Sequence, residues 1–109
     1  MTFDEYQAAA LKTARKKTDR DELLHLVLGL MGEAGEIAEK FKKLIRDHES
    51  DESKIDRADI GKELGDVLWY IAVLANYLDI PLDDIATKNI AKLADRQKRG
   101  TIKGSGDNR

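Results

Sequence analysis

Four carboxylates stand in two matching pairs: Glu33 and Glu36 within Gly32-Glu33-Ala34-Gly35-Glu36, and Glu63 and Asp66 within Lys62-Glu63-Leu64-Gly65-Asp66. Each pair is spaced i,i+3 in a helical, otherwise apolar stretch, so its two members are neighbours on one helix face. A carboxylate inside a hydrophobic stripe is costly unless a cation compensates it, and four of them on two helices point to hard divalent cations as that partner. There are no cysteines, which excludes disulfides, thiolate metal sites and Cys nucleophiles. Magnesium takes octahedral oxygen ligands and keeps several waters, so a few carboxylates and the phosphates of a substrate would fill its shell. Hydrolysis at phosphorus needs neutralised phosphate oxygens and an oriented water, and carboxylate-held Mg²⁺ supplies both without a nucleophilic side chain. One of the four acids, Glu36 or Glu33 ahead of Glu63 and Asp66, would hold or deprotonate that water.

Positioning these pairs requires helices. Apolar periodicity predicts a helix from about Asp4 to Lys17, and Thr18 and Asp19 then offer an N-cap for a second helix from about Arg20 to Arg46. Asp47 to Asp56 is acidic and nearly free of apolar residues, a loop. A third helix is expected from about Ala58 to Leu78. Pro81 suits the first turn of a fourth, from about Leu82 to Arg99, and Gly100, Gly104 and Gly106 end it in a polar tail, residues 100–109. With no strand alternation, the class is all-α: one domain over residues 1–109, a bundle of about four helices. At about 100° per residue, Glu33 and Glu36 fall at the rim of the second helix's broad apolar arc, whereas Glu63 lies inside the arc of the third. Antiparallel packing of these two helices would let all four acids converge on one cleft edge. The two long helices have more apolar face than one antiparallel pair can cover. A four-helix core completed by dimerisation follows, as a homodimer or homotetramer with the acidic cleft near the interface.

A formal net charge of −2 gives no basic field for nucleic acid. No basic and apolar leader precedes the first helix and no apolar run could span a bilayer, so a cytoplasmic location is expected. On the fourth helix Lys88, Lys92 and Arg96 form one positive stripe that could contact phosphates, with Asn89 bonding base or sugar; otherwise they form a solvated face, the better reading for Arg99. Lys43 is a further phosphate candidate. Tyr70, one turn beyond Asp66, could stack on a nucleobase, whereas Trp69 reads as packing surface. Glu22-x-x-His25 imitates half of a di-iron motif, but the second half is missing and His25 is about 12 Å from Glu33 along a helix. Neither His25 nor His48 is given a role. Gly29, Gly32, Gly35, Gly61 and Gly65 each cost about 1 kcal/mol in a helix relative to alanine, which close packing or ligand access would have to offset.

Gly29-Leu30-Met31-Gly32-Glu33-Ala34-Gly35-Glu36, followed after 26 residues by Glu63-Leu64-Gly65-Asp66-Val67-Leu68-Trp69-Tyr70, resembles the ExxE…ExxD signature of the MazG-like nucleoside triphosphate pyrophosphohydrolases of the all-α NTP pyrophosphatase superfamily. Lys42-Lys43 and the later Lys88-Asn89-Ile90-Ala91-Lys92-Leu93 with Arg96 extend the likeness over nearly the whole chain. The resemblance implies that Glu33, Glu36, Glu63 and Asp66 carry Mg²⁺, with Mn²⁺ able to substitute. It also implies cleavage of an NTP or dNTP between its α and β phosphates to NMP and pyrophosphate, with house-cleaning of non-standard nucleotides as the suggested role. The alternative of a different class is a catalytically silent helical oligomerisation or regulatory module on the same bundle.

Overall fold

The computed structural model describes all residues, 1–109, and is helical without strands. Helix α1 spans Phe3–Ala10 and opens on a capping box: the Glu5 amide donates to Thr2 Oγ1 at 3.0 Å and the Thr2 amide to Glu5 Oε1 at 3.2 Å. It ends earlier than the expected Lys17. A 3₁₀ turn, Leu11–Thr13, leads into extended backbone at Ala14, because Thr13 is drawn into other bonds. Its hydroxyl donates to the Ala10 carbonyl at 3.1 Å and accepts from Trp69 Nε1 at 2.9 Å.

Helix α2 spans Glu22–His48. Neither Thr18 nor Asp19 caps it, contrary to expectation: the Asp19 carboxylate accepts instead from the Lys16 amide at 3.3 Å, closing the preceding turn. The N-cap position is Asp21, in left-handed conformation at φ 59° and without a side-chain cap bond. The neighbouring Glu22 is buried, its Oε1 2.7 Å from His25 Nδ1 and its Oε2 3.9 Å from Arg15 Nε. The Glu-x-x-His motif thus engages itself. Glu49 and Ser50, both left-handed, end α2, and a 3₁₀ turn, Glu52–Lys54, reverses the chain. Asp56 accepts from the Asp59 amide at 3.1 Å and caps α3, Arg57–Tyr77. After Pro81 comes α4, Leu82–Arg99, ended by Gly100 at φ 73°, a conformation that glycine adopts without strain.

Helices α2 and α3 form an antiparallel hairpin whose register is written in its contacts. Lys40 meets Asp59, Glu33 meets Glu63 and Asp66, Gly29 lies under Tyr70, and Leu26 shares a cluster with Val73. At Gly29 the approach is so close that a Cβ would sit 2.2 Å from Tyr70 Cε1. The glycine there is a packing requirement. By contrast nothing lies within 4 Å of a Cβ built at Gly32, Gly35, Gly61 or Gly65. Ala10, Leu26, Ala72, Val73 and Leu82 form the core, where α1, α2, α3 and α4 meet. Gln7 is buried beside it. Its Nε2 donates to the carbonyls of Ala72 (3.0 Å) and Ile80 (3.1 Å), and its Oε1 accepts from the Leu82 amide (3.0 Å).

Helix α3 covers only part of α2's apolar arc. Glu33 lies on the covered side, facing α3, and not at the outer rim that the helical wheel suggested. The rest of the arc is bare: Leu24, Leu28, Met31 and Ile45 are 61%, 70%, 58% and 65% exposed. Together with Gly35, Ala38 and Lys42 they recur at alternating spacings of four and three, the repeat of a helix-packing seam. Only nine of the 109 residues are buried, and the radius of gyration is 17.0 Å, against about 13 Å for a compact chain of about 100 residues. This hairpin carries more apolar surface than it covers. No helix is long and apolar enough to cross a membrane.

Candidate metal centre

The hairpin register decides which acids meet. Glu33 from α2 and Glu63 and Asp66 from α3 each bring a carboxylate oxygen within 4.8 Å of the others. Glu63 follows Asp59 by one turn, so the cap at Asp56 and the reversal at Glu49 and Ser50 fix both in phase with α2. Glu36, one turn past Glu33, is exposed and outside this group. It lines a shallow polar groove with Gly32, Gly35, Glu39, Lys40 and Lys43.

The cluster carries its charge at an electrostatic disadvantage. Desolvation, and then the charges of Asp66, Glu36 and Glu63 with a hydrogen-bond contact to Glu63, push the Glu33 carboxyl above the ordinary carboxylate range. Asp66 also acts across to α1, where burial first and the Asp66 charge second raise the Tyr6 phenol. The local cation is Lys40, which is paired with Asp59 and lies 3.6 Å from Glu63. The hydrogen bond to Asp59, opposed in part by desolvation and supported by the Asp59 and Glu63 charges, raises the Lys40 ammonium. One shared ammonium leaves three convergent carboxylates short of positive charge. All-oxygen donors from two rigid helices fit a hard divalent cation such as Mg²⁺ or Mn²⁺, and the absence of nitrogen and sulfur donors argues against zinc or di-iron chemistry.

The other candidate residues fall in different places. Tyr70 is half-buried against Gly29, its ring edge-on to Trp69 at 4.9 Å and to His25 at 6.5 Å between centroids. Lys43 sits on the groove beside Glu36. Lys88 and Asn89 are exposed on α4, which packs on α1 and α3. Lys92 Nζ and Arg96 Nη2 both reach Asp107 Oδ1, at 2.7 and 3.1 Å, and Arg96 also donates to the Asp107 carbonyl. Those two hydrogen bonds and the attached charges hold Asp107 below the usual carboxylate range. In this arrangement the tail carboxylate sits where a phosphate was expected.

One polar residue outside the expected set takes part, Asp59, which anchors Lys40; on α1, burial first and the Asp66 charge second raise the Tyr6 phenol. Asp59 could be anticipated from its place one turn before Glu63. Tyr6 depends on how α1 crosses the hairpin, for which the sequence holds no signal.

Residues 21–101 match the MazG nucleotide pyrophosphohydrolase domain, a stretch that contains the whole hairpin and α4, and the chain belongs to that family. It is 46% identical over 114 aligned positions to the Gene 37 protein of Mycobacterium phage L5, with both chains covered in full. No solved structure matches it.

Proposed function

We propose that this protein is a Mg²⁺-dependent nucleoside triphosphate pyrophosphohydrolase, with Mn²⁺ able to replace Mg²⁺, converting NTP or dNTP and water to NMP and pyrophosphate. The observation that carries this reading is the convergence of Glu33, Glu63 and Asp66 within 4.8 Å in a member of a pyrophosphohydrolase family. Those three residues would hold the cation, which when bound neutralises phosphate oxygens and makes a coordinated water more acidic. Glu36, one turn further along α2 and exposed, is free either to complete the ligand set or to orient and deprotonate the attacking water. Lys40 holds Glu63 in place and adds positive charge beside it. Lys43, in the groove with Glu36, is an ammonium that a phosphate oxygen could use.

A second copy of the chain belongs to the same reading. The bare face of α2 is the surface through which a homodimer or homotetramer would close a four-helix core. It also gives a purpose to Gly32 and Gly35, the α2 glycines that touch nothing within one chain. Lys92 and Arg96, and the tail around Asp107, would then face a neighbouring chain's phosphates. Mixing Asp66→Asn subunits with Lys92→Ala/Arg96→Ala subunits tests that arrangement, with recovered turnover expected if the site is shared.

The direct test is a panel of NTPs and dNTPs, with and without Mg²⁺, with products separated in the absence of any added pyrophosphatase. Pyrophosphate and NMP are expected, and only with metal. NDP and orthophosphate would mean a different hydrolase. A protein that sediments as an oligomer and releases nothing would be the silent scaffold.

A further inference from the structure

The two directions along the hairpin from the acidic cluster differ in the space they leave for the rest of a nucleotide. Toward the start of α2 the interhelical space is filled by the Tyr70 ring on Gly29, flanked by Trp69 and His25. Toward the hairpin turn it opens. A cavity of about 280 Å³ lies between the end of α2 and the start of α3, floored by Phe41, Leu44, Ile55 and Ile60. Lys43, His48 and Lys54 stand on its rim. Lys40 joins cavity and cluster, since it lines the one and lies 3.6 Å from Glu63 in the other. Ile60 precedes Glu63 by three residues, about 4.5 Å of helix, well within the length of a nucleotide.

The lining selects a chemistry. An apolar floor suits the face of a planar ring, and the ammonium groups of Lys43 and Lys54, which form no ion pair with any carboxylate, suit an attached anion. The volume is near the lower end for small-molecule pockets, about 300 Å³, so it fits a nucleoside and little more. Its acidic lining residues are Asp56 and Asp59. Asp56 Oδ1 accepts from the Asp59 amide and Asp59 Oδ2 is taken by Lys40, which leaves one acceptor oxygen on each. Ionised carboxylates only accept hydrogen bonds, so an exocyclic amino group satisfies them and a ring carbonyl at the same edge does not.

We propose that this cavity is the base and sugar subsite, and that it favours amino-bearing bases, cytosine or a purine, over uracil and thymine. The assignment rests on the pyrophosphohydrolase reading for the position of the phosphates, and its test is chosen so that the two can fail separately. The full chain, labelled with ¹³C at isoleucine methyls and in the ring side chains of Tyr70 and His25, is titrated without metal against CMP, UMP and inorganic pyrophosphate. Saturable movement of the Ile55 and Ile60 methyls by CMP, with UMP about tenfold weaker, is the expected result. Asp56→Asn should abolish the difference between CMP and UMP while keeping the helix cap, because asparagine caps as well as aspartate. Equal binding of the two nucleotides to the parent chain would overturn the base selectivity. Shifts confined to the rings of Tyr70 and His25, or methyl shifts produced equally by pyrophosphate, would overturn the subsite. Methyl shifts in a protein that hydrolyses no NTP would retain the subsite and dismiss the hydrolase. Robust hydrolysis with silent Ile55 and Ile60 methyls would do the reverse.

Discussion

Midway along the α2–α3 hairpin, Glu33, Glu63 and Asp66 crowd like charges together with one shared ammonium, whereas on α4 the ammonium of Lys92 and the guanidinium of Arg96 close on a single tail carboxylate, Asp107. Both regions are held by helices of the same chain, yet one is frustrated and the other is satisfied. The direction of the acid shifts states this physically: Glu33 is pushed above the ordinary range and Asp107 is held below it. A frustrated cluster on rigid elements is where a binding cation gains the most, since it relieves a repulsion that folding has already imposed. A satisfied cluster stabilises its own chain, and a phosphate must displace Asp107 before it can use the same two cations.

Turnover offers the largest test of this contrast. Asp66→Asn and Glu36→Gln are each expected to lower NTP hydrolysis by orders of magnitude, about 100-fold or more, with helical circular dichroism unchanged. Full activity in Asp66→Asn would break the metal assignment, and full activity in Glu36→Gln would remove Glu36 from the reaction. A second, large effect concerns folding: Gly29→Ala must move Tyr70 and should destabilise the chain by about 1–3 kcal/mol, the usual range for overpacking, measured by urea unfolding. A parallel Gly32→Ala, into open space, is expected to be neutral or stabilising in a single chain. Loss of oligomer in that variant would sharpen the case for a partner at α2.

Smaller effects separate the charge clusters themselves. Mg²⁺ or Mn²⁺ should raise the melting temperature by several degrees, EDTA should reverse it, and the rise should vanish in Asp66→Asn. Glu33→Gln is expected to raise the melting temperature of the metal-free protein, because it removes one of the crowded charges, while Asp107→Asn should lower it slightly. The pH dependence has opposite signs. Asp107, with a folded pKa below its unfolded one, contributes stability that is present above the unfolded pKa and lost as pH falls through the folded value. Glu33, with a raised folded pKa, detracts at neutral pH and ceases to do so as pH falls through that value. Carboxyl NMR titration of the two side chains checks both.

Much of the architecture could be read from local chemistry. The bounds of α4 were anticipated because Pro81 and Gly100 act on the backbone wherever they sit, and α3 because its apolar period is long and unbroken. The early end of α1 could not be read, since it depends on Thr13 meeting Trp69, 56 residues away. The start of α2 was missed for a related reason: Asp21 adopts a left-handed conformation without the side-chain bond that makes an N-cap recognisable. At the site, i,i+3 spacing placed each acidic pair on one face, but such a pair spans about 60° of the helix. Only the crossing of the partner helix decides that Glu33 turns inward and Glu36 does not. Tyr70 was anticipated near the cleft, and the missing side chain at Gly29 drew its ring into the interhelical contact.

The buried amide of Gln7 ties α1 to the last turns of α3 and the first turn of α4 through three hydrogen bonds, and the Asp83 amide adds a fourth to Asp4, so an eight-residue helix is fastened largely by side-chain bonds to the elements it crosses. A helix fastened in this way opens as a unit. Its backbone amides should therefore exchange with solvent deuterium at a common rate, faster than those in the middle of α3, and that rate should rise sharply when Gln7 is replaced by leucine. The amides of Ala72 and Val73 would keep their slow exchange, so the N-terminal segment could come and go while the hairpin that holds the acids stays folded.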